Sequence, residues 1–250
     1  MESHERKIER AHQHLQALRA IAPPEGSRNV LIRQYDNRTG DISYRLADLA
    51  PFSVLVGDAL QNLKSGLDHL VYELLIAQAA GRPIDPKVIE RSEFPIFWTT
   101  PKPGEIAKKI GGIDPQAQTI IERLQPHLLG PDYVTHPLWQ LHELARMDRH
   151  RSLLPGAFIP QGWGLGGNVA IETFTIRPGI SEPGAVLASG RVWPVRRGQP
   201  MGLNFYLAVQ VVFRDGPCVG QNPVTVLTDL DAYIAREITA PLSAFFGPTP

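Results

Sequence analysis

One cysteine in 250 residues leaves no intrachain disulfide and no multi-cysteine zinc site, and fits a reducing compartment. Neither sign of charge is in excess. Twenty-five Lys and Arg face 25 Asp and Glu, so no global field draws the chain to nucleic acid or to a membrane surface. Any nucleic-acid contact must then come from a local patch. No uninterrupted apolar run reaches the ~20 residues that span a bilayer. The opening stretch, MESHERKIERAHQHL, lacks the apolar centre of a secretory leader, so the cytoplasm is the expected location. Internal repeats and low-complexity tracts are missing as well.

What is present has the make-up of a globular chain, 43% apolar and 20% charged, long enough for one large domain or two small ones. Residues 3–21 carry Ile8, Ala11, Leu15 and Leu18 on one helical face, and Pro23-Pro24 stops that helix. NVLIRQY and DISYRL flank DNRTG as a hairpin. Pro51 opens a long helix that Gly81 ends near residue 80. A proline-rich irregular stretch with EFPIFW at 93–98 leads to helices near 102–110, 114–125 and 137–153. Strand grammar follows in NVAIETFTI, AVLASGRVWPV and MGLNFYLAVQVVF. The third alternates Leu203, Phe205, Leu207, Val209, Val211 and Phe213. A last helix over 223–246 carries Leu227, Leu230, Ile234, Ile238 and Leu242.

The expected fold is α+β. A helical bundle with a small hairpin fills 1–155, and an antiparallel sheet covered by the C-terminal helix fills 156–250, packed on the first part.

Within GDALQNLKSGLDHLVYELL, residues 57–75, Leu60, Leu63, Leu67, Leu70 and Leu74 form one apolar face. Asp58, Asn62, Ser65 and His69 repeat at the same rhythm on a second face. A solvated face favours long charged side chains, so short polar groups and a His point to a stripe that meets a second helix or a ligand. In HELARMDRHR, residues 142–151, His142, Arg146 and His150 stack at i, i+4 and i+8. The two imidazoles stand roughly 12 Å apart along the axis, too far for one metal ion. Arg146 between them favours an anion instead, with Arg as donor fork and His as proton carrier. The alternative is an exposed basic end, favoured by the helix dipole. A structural pairing of the two helices through Asp58, Asn62, Ser65, Asp68, Asp148 and Arg149 is equally compatible with the pattern.

Other motifs are weaker. GWGLGG at 162–167 fits G-x-G-x-x-G but precedes a strand, so it reads as a mobile loop. Cys218 in DGPCVGQNP has no nearby His in sequence. His12 and His14 read as solvated. Arg191, Arg196 and Arg197 beside Trp193 are a thin nucleic-acid signal.

Three of these segments together resemble a family of bacterial and phage-borne proteins without an assigned activity. Its pattern has a GD-x-L-x-N-L-x-S-x-L-D-H-L helix, an F-P-I segment and a D-[KR]-H-R helix end. Here they are Gly57 to Leu70, Phe94-Pro95-Ile96, and Asp148-Arg149-His150-Arg151. A more distant likeness is to HEPN domains, helical bundles that include metal-independent ribonucleases with an Arg and, four to six residues between, a His. Arg146 and His150 have three residues between them, whereas Arg6 and His12 fit the spacing. That likeness implies an RNA substrate, with Arg146 stabilising a phosphorane, His150 as base and His69 or His142 as acid. Two function classes follow: a non-catalytic interaction module, or a ribonuclease. Both are expected to work without cofactor or metal. The partners implied are RNA or another protein, a second copy of the chain included, and no membrane.

Overall fold

Aspartate–proline pairs begin two of the helices in the computed structural model of this chain, which describes residues 3–21, 31–48, 50–150, 155–158, 163–196, 202–207 and 209–246. Asp85 caps α3 (Pro86–Arg91) by accepting from the Lys87 N–H, and Asp114 caps α5 (Pro115–Arg123) by accepting from that of Gln116. In each, proline at the first helical position has no N–H to leave unsatisfied. The other helices are α1 (Ser3–Ile21), α2 (Ala50–Ala79), α4 (Glu105–Ile110), α6 (Pro137–His150) and α7 (Pro223–Tyr233). Leu60, Leu63, Leu67, Leu70 and Leu74 of α2 are each at most 2% exposed. Each such leucine contributes about 1.5–3 kcal/mol of burial.

The C-terminal segment departs from the single helix expected over 223–246. After α7 the backbone widens into a π-helical stretch, Ile234–Thr239, where the Ala240 N–H bonds the Ala235 carbonyl. Pro241 follows immediately. Proline cannot donate, and its ring crowds the carbonyl four residues back, which a wider turn displaces. Of the helix expected over 137–153, Pro137–His150 is described as helical, and residues 151–154 lie outside the described residues. Sequence reading also missed α3 and the 3₁₀ stretch Pro126–Thr135.

The chain is α+β. Its strands are β1 (Leu31–Tyr35), β2 (Asp41–Leu46), β3 (Pro155–Phe158), β4 (Trp163–Gly167), β5 (Val169–Ile176), β6 (Val186–Pro194), β7 (Leu203–Leu207) and β8 (Gln210–Phe213). A four-stranded antiparallel sheet runs β1-β2-β6-β5, and β3–β8 and β4–β7 form two further antiparallel pairs. Two expectations are corrected here. The hairpin is part of the sheet, since β2 bonds β6, and the GWGLGG segment carries strand β4, not a loop. Cross-strand period alone cannot tell a hairpin which distant strand completes it.

Two compact units result. One comprises Met1–Ala17, Leu55–Ser152 and Val224–Pro250; the other comprises Leu18–Val54 and Leu153–Pro223. The division therefore does not follow one boundary near residue 155, because the hairpin joins the strands and the last helix joins the other helices. In the strand unit, Phe205 packs against Tyr44 and Phe174 with ring centroids 4.3 and 5.1 Å away.

Candidate functional site

The site candidates group on the helical unit, where α2 and α6 touch. Gly57 of α2 faces Asp148 of α6 so closely that a Cβ there would lie 2.2 Å from the Asp148 carboxylate. One turn on, the Gln61 amide donates to the Ala145 carbonyl at 2.7 Å and to Asp148 at 3.2 Å. Glycine in mid-helix costs about 1 kcal/mol against alanine, and here it lets a carboxylate approach the backbone.

Asp68, a further two turns along α2, does a second tethering task. Its Oδ1 accepts from Lys64 Nζ at 2.6 Å and from the Phe94 N–H at 3.0 Å, which fixes the start of Phe94-Pro95-Ile96. The rest of that segment is held by Gln125, itself 1% exposed. Its Oε1 accepts from the Phe97 N–H, and its Nε2 donates to the Pro95 and Ile121 carbonyls, each at 3.0 Å. The segments 57–70, 94–96 and 148–150 thus converge in space.

A cleft of about 220 Å³ opens beside this junction, lined by Lys64, Ser65, Asp68, Glu93, Lys109, His142 and Arg149 among others. The two carboxylates are already engaged, Asp68 with Lys64 and Glu93 with Lys109. Arg149 is exposed and, among the described residues, has no carboxylate partner. The His142 ring packs against Trp98 with centroids 5.2 Å apart and the planes tilted by 38°. Burial, then the positive charges of Lys64, Arg149 and Arg146, push its pKa below 6.5 against the opposing pull of Glu143. Burial likewise pushes the Lys109 ammonium down, aided by repulsion from Lys64.

Not all expected residues arrive at this place. Arg146 turns to Glu143, whose carboxylate accepts from its Nε at 2.8 Å and from its other fork nitrogen at 2.6 Å. His150 is exposed at the helix end. His69 shares a 2.6 Å hydrogen bond with the Ser3 hydroxyl and does not line the cleft. Asn62 donates back to the Asp58 carbonyl within α2, and the Asp58 carboxylate lies 3.9 Å from His14. Of the polar stripe, Ser65 and Asp68 reach the cleft with Arg149, while Asp148 sits at the helix junction. Sequence reading missed Gln61, Lys64, Glu93, Trp98, Lys109 and Gln125. Lys64–Asp68 was visible as an i, i+4 pair on a helix, but Glu93 and Lys109 come from separate segments with no local signal.

The weaker motifs resolve simply. His12 bonds Asp231 at 2.8 Å and His14 is largely covered, so neither is simply solvated. Arg191 pairs with Asp41 and Glu172, and the Trp193 indole donates to Glu172, which neutralises that basic spot; Arg197 lies outside the described residues. Burial pushes the Cys218 thiol up to about 11, far from a reactive thiolate at neutral pH. Among the described residues, no three His, Cys, Asp or Glu side chains are grouped to hold a metal ion, and no helix is long and apolar enough to cross a membrane.

The lowered pKa values of His142 and of His136, the latter also shifted by burial, set a pH dependence. An unfolded imidazole binds its proton near 6.5, before the folded one does. This contribution to stability is therefore complete above 6.5 and is lost as pH falls through the folded pKa values. The melting temperature should drop between pH 7 and pH 5, and His142→Gln should flatten that decline. Thermal melts across the pH range check it; an unchanged slope in the variant would refute the assignment to His142.

Comparison with protein-family models, with curated proteins and with solved structures finds no match to this chain.

Proposed function

We propose that this chain is a non-catalytic binding module whose working surface is the cleft beside the α2–α6 junction. The observation that carries the reading is the closed fork of Arg146. A phosphorane-stabilising arginine presents paired donors to the substrate, and Glu143 takes the Nε–Nη2 pair of Arg146 through two bonds. His150 is exposed at the end of α6, and His69, one of the two acids expected, bonds Ser3 and does not line the cleft, which supports the same reading. The cleft, by contrast, already has its polar groups arranged by Asp68, Gln61 and Gln125, which favours recognition by a preformed surface.

The discriminating assay incubates the purified protein with total RNA in EDTA, beside the Arg146→Ala and His150→Ala variants. RNA should remain intact in all three. Removing a general base or an anion-stabilising group slows a real nuclease by ~10²-fold or more. Metal-independent cleavage by the wild type that vanishes in both variants, with unchanged melting temperatures, would overturn the binding-module reading in favour of a ribonuclease.

A further inference from the structure

We propose that the cleft binds a phosphate group, free or as a monoester, on Arg149, Lys64 and Lys109; this rests on the cleft being the working surface of a binding module. Three cations and two carboxylates line the space, and both carboxylates are spent on lysines, leaving the Arg149 guanidinium as surplus. Asp68 is spent twice, since the same oxygen also accepts the Phe94 N–H. Neither carboxylate can turn towards a ligand without releasing a lysine, which the ligand would then take.

The Lys64 side chain is 16% exposed and that of Lys109 29%, so two ammonium groups lining one cleft, each within the field of the other, have limited water. Coulomb energy grows as the effective dielectric falls, and an anion entering such a place relieves repulsion between cations as well as pairing with each. The charge of Lys64 is felt at both Lys109 and His142. A lone carboxylate ligand would meet two oxygens' worth of donors, whereas a tetrahedral phosphate can accept from Arg149, two lysines and the Ser65 hydroxyl at once.

A space of about 220 Å³ equals the share of roughly seven waters at ~30 Å³ each, which holds a phosphate and a short ester arm but no folded partner. His142 forms part of the wall, and its ring packs against Trp98. It faces Lys64 from α2 and lies with Glu143, Arg146 and Arg149 on α6. An anion between Lys64 and Arg149 therefore changes the field at a group that NMR observes directly.

The test titrates the full-length protein with sodium phosphate and, separately, with glycerol 3-phosphate, at ionic strength held constant with sodium chloride. The His142 ring resonances should shift along a saturable isotherm, and its pKa should rise when the ligand is bound. Tighter binding of glycerol 3-phosphate would identify the ester as the ligand; tighter binding of inorganic phosphate would identify the free ion. Arg149→Gln, at an exposed position, should fold normally and weaken binding by about tenfold, the effect of losing a charge-assisted bond. Arg146→Gln, outside the cleft lining, should bind as wild type does. The assignment is overturned if His142 is silent up to about 50 mM ligand, a range that reports millimolar sites. It is equally overturned if Arg149→Gln binds unchanged. RNA cleavage in the preceding assay would unseat the binding-module reading, whereas a silent His142 unseats the phosphate alone.

Discussion

Gln125→Ala is expected to destabilise the protein by about 3–5 kcal/mol, lowering its melting temperature by roughly 10 °C. The side chain is 1% exposed and supplies the hydrogen bonds of Phe97 N–H and Pro95 C=O, both on a segment without regular secondary structure. Deleting it strands a donor and an acceptor away from water at ~1–3 kcal/mol each, and leaves a cavity besides. The Ile121 carbonyl suffers less, because the Leu124 N–H also bonds it. Gln125→Glu keeps the acceptor for Phe97 but loses both donated bonds, so it should fail nearly as badly at neutral pH. Urea and thermal melts decide the matter. A loss under ~1 kcal/mol would mean that the segment is held by its apolar side chains alone.

The second large effect is expected at Glu73. Its carboxylate, on α2, accepts from the Ser3 N–H at 2.5 Å and from the His4 N–H at 3.1 Å, and its other oxygen meets the His4 ring. The first N–H groups of a helix have no acceptor of their own and favour a negative charge, so a neighbouring helix is capping α1. His4 is 6% exposed and stacks on Phe246 with centroids 5.2 Å apart. Glu73→Ala leaves that imidazole and two backbone donors without their acceptor, a loss of about 3 kcal/mol. Amide hydrogen exchange should accelerate over the first turns of α1 well before it does in the centre of α2. Uniform acceleration across both helices would contradict the local cap and indicate a purely global effect. Glu73→Gln, which retains an acceptor, should fall between the two.

The sequence made some of this readable and hid the rest for physical reasons. The leucine spacing of 60–74 reports a buried face, and those leucines are buried. The strict alternation over 203–213 also marks buried positions, yet the segment serves two partners, β4 through β7 and β3 through β8. Periodicity says which face is covered, not by what. The expected His142–Arg146–His150 stack overlooked a neighbour three residues before the arginine: Glu143 in HELAR is placed to close its fork. That pair was legible. Gln125 was not, because a lone glutamine at the end of a helix carries no sign of the distant backbone it will bond.

The order in which the ribosome delivers these strands matters too. The β1–β2 hairpin emerges early, but the strand that completes β2 begins at Val186, about 140 residues after Leu46. At roughly 5–20 residues per second, the nascent hairpin waits on the order of 10 s with one row of N–H and C=O groups unmatched. Helices α2 to α6 are made during that wait, and the last helix of their unit is made after every strand. Neither unit can therefore finish folding from its own N-terminal share, and each depends on chain that the other interrupts. An open strand edge during synthesis is a template for wrong pairing. Arg45, exposed on β2 and later opposite Val186 of β6, sets a charge along that waiting edge.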